Sequence, residues 1–371
     1  VKDGKSVATQ LVTIRRNGRQ VVKVSMAPAP HTEVAEATEP EEPVGIELQE
    51  TWPYEGLGEL DVLNISPDGR YCTFSDPTTG GLMVRDLRTG KDQRLTERRT
   101  TKKGIPSEDA HISPNNKWVV YVEGDWREKE YDVRVVGIDG SQERILYPNE
   151  ENSVIRLAGW SPDGQHVLAA IFETVGDDSG PTSVPVRIAT ISVADGSTRV
   201  LKSLTAEETD IPRPLFSPGG RYVVYSRVVD TESKQQDIFL IPLDGGPEIP
   251  LVESPAKDDV FGWLPDAKNL PRIAPAGRTQ NFLFRSDRGP GYGNDIWMIQ
   301  VVDGKPRGTP RLVTKGLPSA GAKFCLGPVR TPTRGWAFYY GESGERRVAG
   351  GVYLADLDPE TGKLLTAPKQ I

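Results

Sequence analysis

Residues 65–76 read ISPDGRYCTFSD, and the phrase returns as ISPNNKWVVYVE at 112–123, WSPDGQHVLAAI at 160–171 and FSPGGRYVVYSR at 216–227. A weaker copy, WLPDAKN, stands at 263–269. In the central SPDG, proline fixes φ ahead of the turn, and Asp and Gly tolerate the positive φ that a tight hairpin demands. A short apolar run enters each turn and a β-branched or aromatic run leaves it, so each phrase predicts two antiparallel strands. The residue before Ser (Ile65, Ile112, Trp160, Phe216, Trp263) is spaced to fill a gap between neighbouring sheets.

Beyond each phrase lies a third strand often opened by Asp, as in DVRVVGIDG (132–140), DIFLIPLDG (237–245) and DIWMIQVVDG (295–304). A second Gly-containing turn then leads to a fourth strand, as in KDQRLT (91–96), QERILY (142–147), STRVLKSL (197–204), PEIPLV (247–252) and TPRLVT (309–314). Six units follow, at roughly 57–98, 105–149, 153–205, 209–253, 257–315 and 318–371, the last degenerate. Four short antiparallel strands repeated at this period predict an all-β, six-bladed β-propeller. A single unit cannot bury both faces of its sheet, whereas neighbours in a closed ring bury them for each other.

The composition agrees. The 371 residues include 38 Gly and 31 Pro, so the chain turns often, and no window keeps a helical apolar period. The net charge of −7 lacks the basic footprint that nucleic-acid binding needs, and RRTTKK (98–103), the one concentrated basic run of the body, suits a solvated loop. The longest apolar run, VLAAIF (167–172), is far short of the ~20 residues that span a bilayer. Cys72 and Cys325 have no metal or redox spacing and read as buried thiols. They fall in the first and last units, which ring closure would make neighbours.

Ahead of the repeats, residues 1–26 carry six bases and one acid, and Asn17-Gly18 predicts a β-hairpin. Residues 27–56 form a Pro/Glu-rich linker with seven carboxylates and no base between 27 and 50. An isolated hairpin is marginal in water, so it would dock on the propeller, a partner chain or a further domain. A chain that begins at Val1 without a signal-peptide pattern reads as a piece of something longer.

The pattern SPDG…(Y/F)…S(D/R)…DI(F/W)…DG…LT resembles the TolB-type, WD40-like (PD40) bacterial propeller repeat, most fully in FLFRSDRGPGYGNDIWMIQ (282–300). The resemblance covers about residues 57–371 and departs at Asn115-Asn116, a broken turn, and in the sixth unit. It implies a bacterial origin and a neighbouring module, and it favours a periplasmic or extracellular setting, with a cytoplasmic one as the alternative. Such repeats are permissive, so they identify fold well and activity poorly. They occur as the gating domain of prolyl-oligopeptidase-like enzymes, and six-bladed lactonases and related hydrolases hold calcium in the channel.

Catalytic motifs are missing from the sequence: there is no G-x-S-x-G, no H-E-x-x-H and no paired Cys site. His31 lies in the acidic linker. His166 holds the second-strand position of Tyr71 and Tyr222 and reads as a satisfied core histidine. His111 sits on an entering strand, which lines a propeller's channel. Asp132, Asp237 and Asp295 recur at one position and suit a repeated structural hydrogen bond. GDDSG (176–180) suits a solvated turn rather than a calcium loop. Residues near the starts of the entering strands, Asp61, Asp109, Arg156, Arg213, Asp259 and Lys323, should gather with His111 at one channel mouth. Three of those six are cationic, which weakens calcium there and favours a polar rim for a protein or peptide. The expectation is a non-catalytic binding module without a cofactor. A metal-dependent propeller hydrolase or lyase and a gating domain of a longer peptidase are the competing readings.

Overall fold

The computed structural model describes residues 64–313, except 69, 77–78, 80, 87–88, 97–108, 126–129, 149–152, 174–184, 209–212, 265–276 and 289–294. It also describes strands at 324–330, 335–341, 351–357 and 369–370. All of these belong to one compact unit, Val44–Ile371. The expected hairpin at 1–26, the linker at 27–56, His31, Asp61, RRTTKK, GDDSG and Lys323 lie outside the described residues.

Six four-stranded antiparallel sheets account for the described strands. The first is β1 (Asn64–Ile65), β2 (Tyr71–Ser75), β3 (Leu82–Asp86) and β4 (Lys91–Arg94). The second is β5 (Ala110–Ile112), β6 (Trp118–Asp125), β7 (Glu130–Gly137) and β8 (Arg144–Tyr147). The third is β9 (Ser153–Trp160), β10 (His166–Glu173), β11 (Val186–Ser192) and β12 (Thr198–Leu204). The fourth is β13 (Leu215–Phe216), β14 (Tyr222–Asp230), β15 (Gln235–Pro242) and β16 (Ile249–Val252). The fifth is β17 (Asp258–Trp263), β18 (Thr279–Ser286), β19 (Asp295–Val302) and β20 (Lys305–Leu312). The sixth is β21 (Phe324–Arg330), β22 (Gly335–Gly341), β23 (Gly351–Leu357) and β24 (Lys369–Gln370). Each sheet runs in chain order, so its first and last strands form opposite edges. One 3-10 turn, Ala206–Glu208, is the only helical element among the described residues.

The cores lie between the sheets. Val120, Val135, Ile155 and Ile171 join the second sheet to the third, and Leu240, Val252, Phe282 and Phe284 join the fourth to the fifth. Along β10 every residue from Val167 to Phe172 is buried, so both faces of that strand are covered. The Val, Leu, Ile and Phe side chains among them each contribute about 1.5–3 kcal/mol through burial, which one isolated sheet could not collect. Ile112, Trp160, Phe216 and Trp263 all take part in inter-sheet clusters, as their spacing predicts. First strands follow one another: β1 neighbours β5, β5 neighbours β9, β9 neighbours β13, and β17 neighbours β14 and β21. β21 in turn lies beside β1.

The Ser-Pro turns work differently from the sequence expectation. Only the fourth position is left-handed, with φ 74° at Gly164 and 65° at Gly220. The Asp keeps ordinary φ and acts through its side chain. Asp163 Oδ1 accepts from Ser161 Oγ at 2.5 Å and from the Gln165 amide at 2.9 Å, and Asp68 repeats the pattern with Ser66 and the Arg70 amide. The serines are buried. Ser66, Ser113, Ser161 and Ser217 each accept the amide of the residue that opens the next strand, at 2.9–3.1 Å. The second turn is therefore not broken. Asn115 Oδ1 accepts from Ser113 Oγ and the Lys117 amide, and Asn116 takes the left-handed place at φ 56°. Asparagine tolerates that region because its short polar side chain bonds locally.

Two further expectations change. β20 begins at Lys305, four residues before the predicted Thr309, because Asp303 (φ 49°) and Gly304 (φ 75°) form a two-residue turn whose twist suits a hairpin. His166 is exposed rather than a core residue. Tyr71, Trp118 and Tyr222, at the same place in the first, second and fourth sheets, pack against the inter-sheet cores. The imidazole is smaller and more polar than those rings and leaves its boundary open. Cys72 is a free, fully buried thiol whose pKa burial pushes up to about 12, so it is chemically inert.

Candidate functional site

Three residues near the starts of first strands come together from different sheets. Asp109 directly precedes β5, and its Oδ2 accepts the Leu157 amide of β9 at 3.1 Å, tying the second sheet to the third. Asp259, in β17, accepts Ser226 Oγ of β14 at 3.0 Å and pairs with Arg285 of β18. Arg213 precedes β13, between them along the chain. The residue as a whole is exposed, yet its guanidinium is held below the usual arginine range. Desolvation leads that shift; the Arg285 and Arg156 guanidiniums add to it, while the Asp259 and Asp109 carboxylates oppose it. Burial raises the Asp109 carboxyl above its ordinary value, against Arg156, the Leu157 amide and Arg213.

Arg213 thus has Asp109, Arg156 and Asp259 as electrostatic neighbours. Arg285 belongs with them. Its only sequence signal was a charge opposite Asp259, and that becomes visible once the register Asp259↔Arg285 is known. Three guanidiniums against two carboxylates give this group a net positive charge, unlike the acidic chain as a whole.

His111 sits two residues after Asp109, against the third sheet. The Trp160 indole N–H donates to its backbone carbonyl at 2.8 Å, and its Nε2 is buried without a hydrogen-bond partner. Burial pushes the imidazole pKa down to about 4, with the Leu157 backbone pulling the other way. The side chain is neutral at pH 7. Because the folded-state value lies below the unfolded ~6.5, the unfolded chain binds the extra proton between these values. Stability should therefore fall as pH drops from about 6.5 to 4, by no more than about 3 kcal/mol from this residue. Thermal melts of the wild type and His111→Asn across that window test it: the substitution should flatten the pH dependence, and a midpoint near 6.5 for the His111 ring by NMR would contradict it.

Among the described residues, no three His, Cys, Asp or Glu side chains gather as metal ligands. Asp237 is buried and accepts the Ser254 amide at 3.3 Å, the structural role expected of it. Asp132 pairs with Arg134 at 3.5 Å, and Asp295 is buried at the matching position.

No family model matches the sequence, and no curated protein matches it. Solved structures do match. An oligogalacturonate lyase from Vibrio parahaemolyticus aligns at TM-score 0.52 and 12% identity, over 83% of this chain and 75% of that one. A prolyl endopeptidase aligns at TM-score 0.52 and 15% identity, over 85% of this chain but only 44% of the other, so this chain spans less than half of that enzyme. An oligogalacturonate lyase in complex with manganese aligns at TM-score 0.50 and 14% identity, over 81% of this chain and 74% of that one. At these identities the likeness is one of fold: the chain has a TolB-like β-propeller fold. No helix among the described residues is long and apolar enough to cross a membrane.

Proposed function

We propose that the chain is a six-bladed propeller that binds a protein or peptide partner at one mouth of its central channel, without catalysis, as a module of a larger or assembled bacterial protein. The observation that carries this reading is the charged group of Asp109, Arg156, Arg213, Asp259 and Arg285, contributed by four successive sheets. Charges held partly desolvated at the open end of a rigid scaffold suit recognition of a polar segment, since they are already ordered before the partner arrives. Among the described residues, His111 is neutral and Asp109 is engaged by the Leu157 amide, which supports a binding role over an acid–base one. The six-bladed count is supported by the six sheets and by the succession of first strands, which returns from β21 to β1. Residues 1–26 and 27–56 would be appended segments, a hairpin and an acidic linker, the former docking on the propeller or on the partner. Asp61 and Lys323 would complete the rim.

The test is selection of peptides from a random-sequence display library on the purified chain. Selected peptides should bind the wild type and lose about tenfold or more in affinity to a folded double variant Arg156→Gln/Arg213→Gln. Unchanged binding would refute the rim. Turnover of a substrate that the same double variant abolishes would refute the non-catalytic reading. The prolyl endopeptidase likeness, covering less than half of that enzyme, supports a second reading as a domain of a longer peptidase. A hydrolase domain encoded in the same reading frame as the repeats would decide it.

A further inference from the structure

The boundary between the third and fourth sheets carries a cleft of about 370 Å³, at the opposite end of the first strands from Asp109 and Asp259. Its walls are of two kinds. Phe216, Leu243 and the turn glycine Gly220 supply an apolar side, while Thr190, Ser192 and His166, with the charged Asp163 and Arg199, supply a polar one. The origin of the cleft is a single position. In the first, second and fourth sheets the residue opening the second strand is Tyr71, Trp118 or Tyr222, and each ring lies against the core shared with the next sheet. The Tyr222 ring reaches so far that a Cβ on Gly304 of the fifth sheet would stand 2.6 Å from it. At the third sheet His166 takes that place, stays exposed, and does not join the core where Phe216 and Leu243 pack.

We propose that this cleft is a binding slot for a hydroxylated aromatic ring, a phenol such as a tyrosine side chain, seated where the other boundaries hold a ring of their own. The volume falls in the lower part of the range for small-ligand sites, enough for one ring and its linker. A phenol has an apolar body and a polar tip, and the slot offers an apolar wall for the one and hydroxyls for the other. The rigid sheets on both sides fix its width. The slot does not depend on the channel-mouth reading, since it shares no residue with that group.

The experiment is an NMR titration of the full chain with N-acetyl-tyrosinamide, p-cresol and N-acetyl-leucinamide. Saturable shifts of the His166 ring and the Phe216 and Leu243 amides are expected with both phenols, and about tenfold weaker binding with the leucine analogue. Comparable affinity for cresol and tyrosinamide would identify a free phenol as sufficient; about tenfold tighter binding of tyrosinamide would identify a peptide side chain as the source. His166→Tyr supplies the ring internally and should abolish phenol binding without lowering the melting temperature. Leu243→Phe, filling the slot from the opposite wall, should do the same should the first variant misfold. Absence of saturable shifts, equal binding of the leucine analogue, or retained phenol binding in a folded His166→Tyr protein would overturn the proposal.

Discussion

Gly196→Ala should lower the unfolding free energy by about 4 kcal/mol, although it adds one methyl group. Two costs combine. Gly196 adopts φ 73° in the turn between β11 and β12, where its amide donates to the Ser192 carbonyl at 2.8 Å. An L residue in that region costs about 1–2 kcal/mol. In addition, an added Cβ would stand 2.1 Å from the Leu146 carbonyl oxygen of β8, in the neighbouring sheet. That oxygen belongs to backbone, and the Leu146 side chain is buried in the core between the two sheets, so it cannot swing aside. Gly90→Ala isolates the first cost: φ is 67° in the equivalent turn of the first sheet, with nothing within 4 Å of the added carbon. It should cost about 1 kcal/mol. Urea denaturation of both variants measures the difference. Equal costs would mean that the third sheet does not seat on the second as described.

Removing Asp258 is the second large effect. Its side chain is 0% exposed, and its Oδ2 accepts from Arg288 at 2.6 Å and from Ser254 Oγ at 2.7 Å. Arg288 lies over the Phe284 and Trp297 rings, 5.0 and 5.5 Å from their centroids. Asp258→Ala would leave the guanidinium in a low-dielectric setting without its counter-charge, at a cost of about 3–5 kcal/mol. Replacing both partners, Asp258→Leu with Arg288→Met, should restore most of that loss, because the charges themselves are costly to desolvate. The exposed pair Arg221–Asp303, at 42% and 44% side-chain exposure, provides the contrast, and its removal should change stability by at most about 1 kcal/mol. Thermal unfolding of the three variants would separate these outcomes. A double variant as unstable as Asp258→Ala would refute the desolvation argument.

The strand content was legible because the repeat spells it locally. A Ser-Pro phrase, an alternation of apolar residues and a Gly-containing turn each act over a few residues and need no knowledge of the rest of the chain. Even so, the buried serine that caps each turn escaped notice, since its role depends on an amide five residues on. The broken reading of Asn115-Asn116 failed for a related reason: asparagine reproduces both the acceptor of Asp and the left-handed backbone of Gly, which a letter-by-letter comparison misses. Of the charged group around Arg213, the sequence alone offers Asp109, Arg156 and Asp259 through their place along each first strand. Arg285 is not offered in this way, because its membership rests on strand register across a pair whose connecting segment varies in length.

By itself, then, the sequence determined an all-β chain of six repeated sheets and the order of strands within each, because hairpin turns and period-two patterning are short-range. Tertiary structure alone decided what happens where one sheet meets the next. Whether a ring fills a boundary, as Tyr222 does, or leaves it open, as at His166, and which charges share one solvent-depleted space, are settled by residues roughly fifty positions apart. Their proximity follows from the burial of two sheet faces against each other, and no local pattern encodes it.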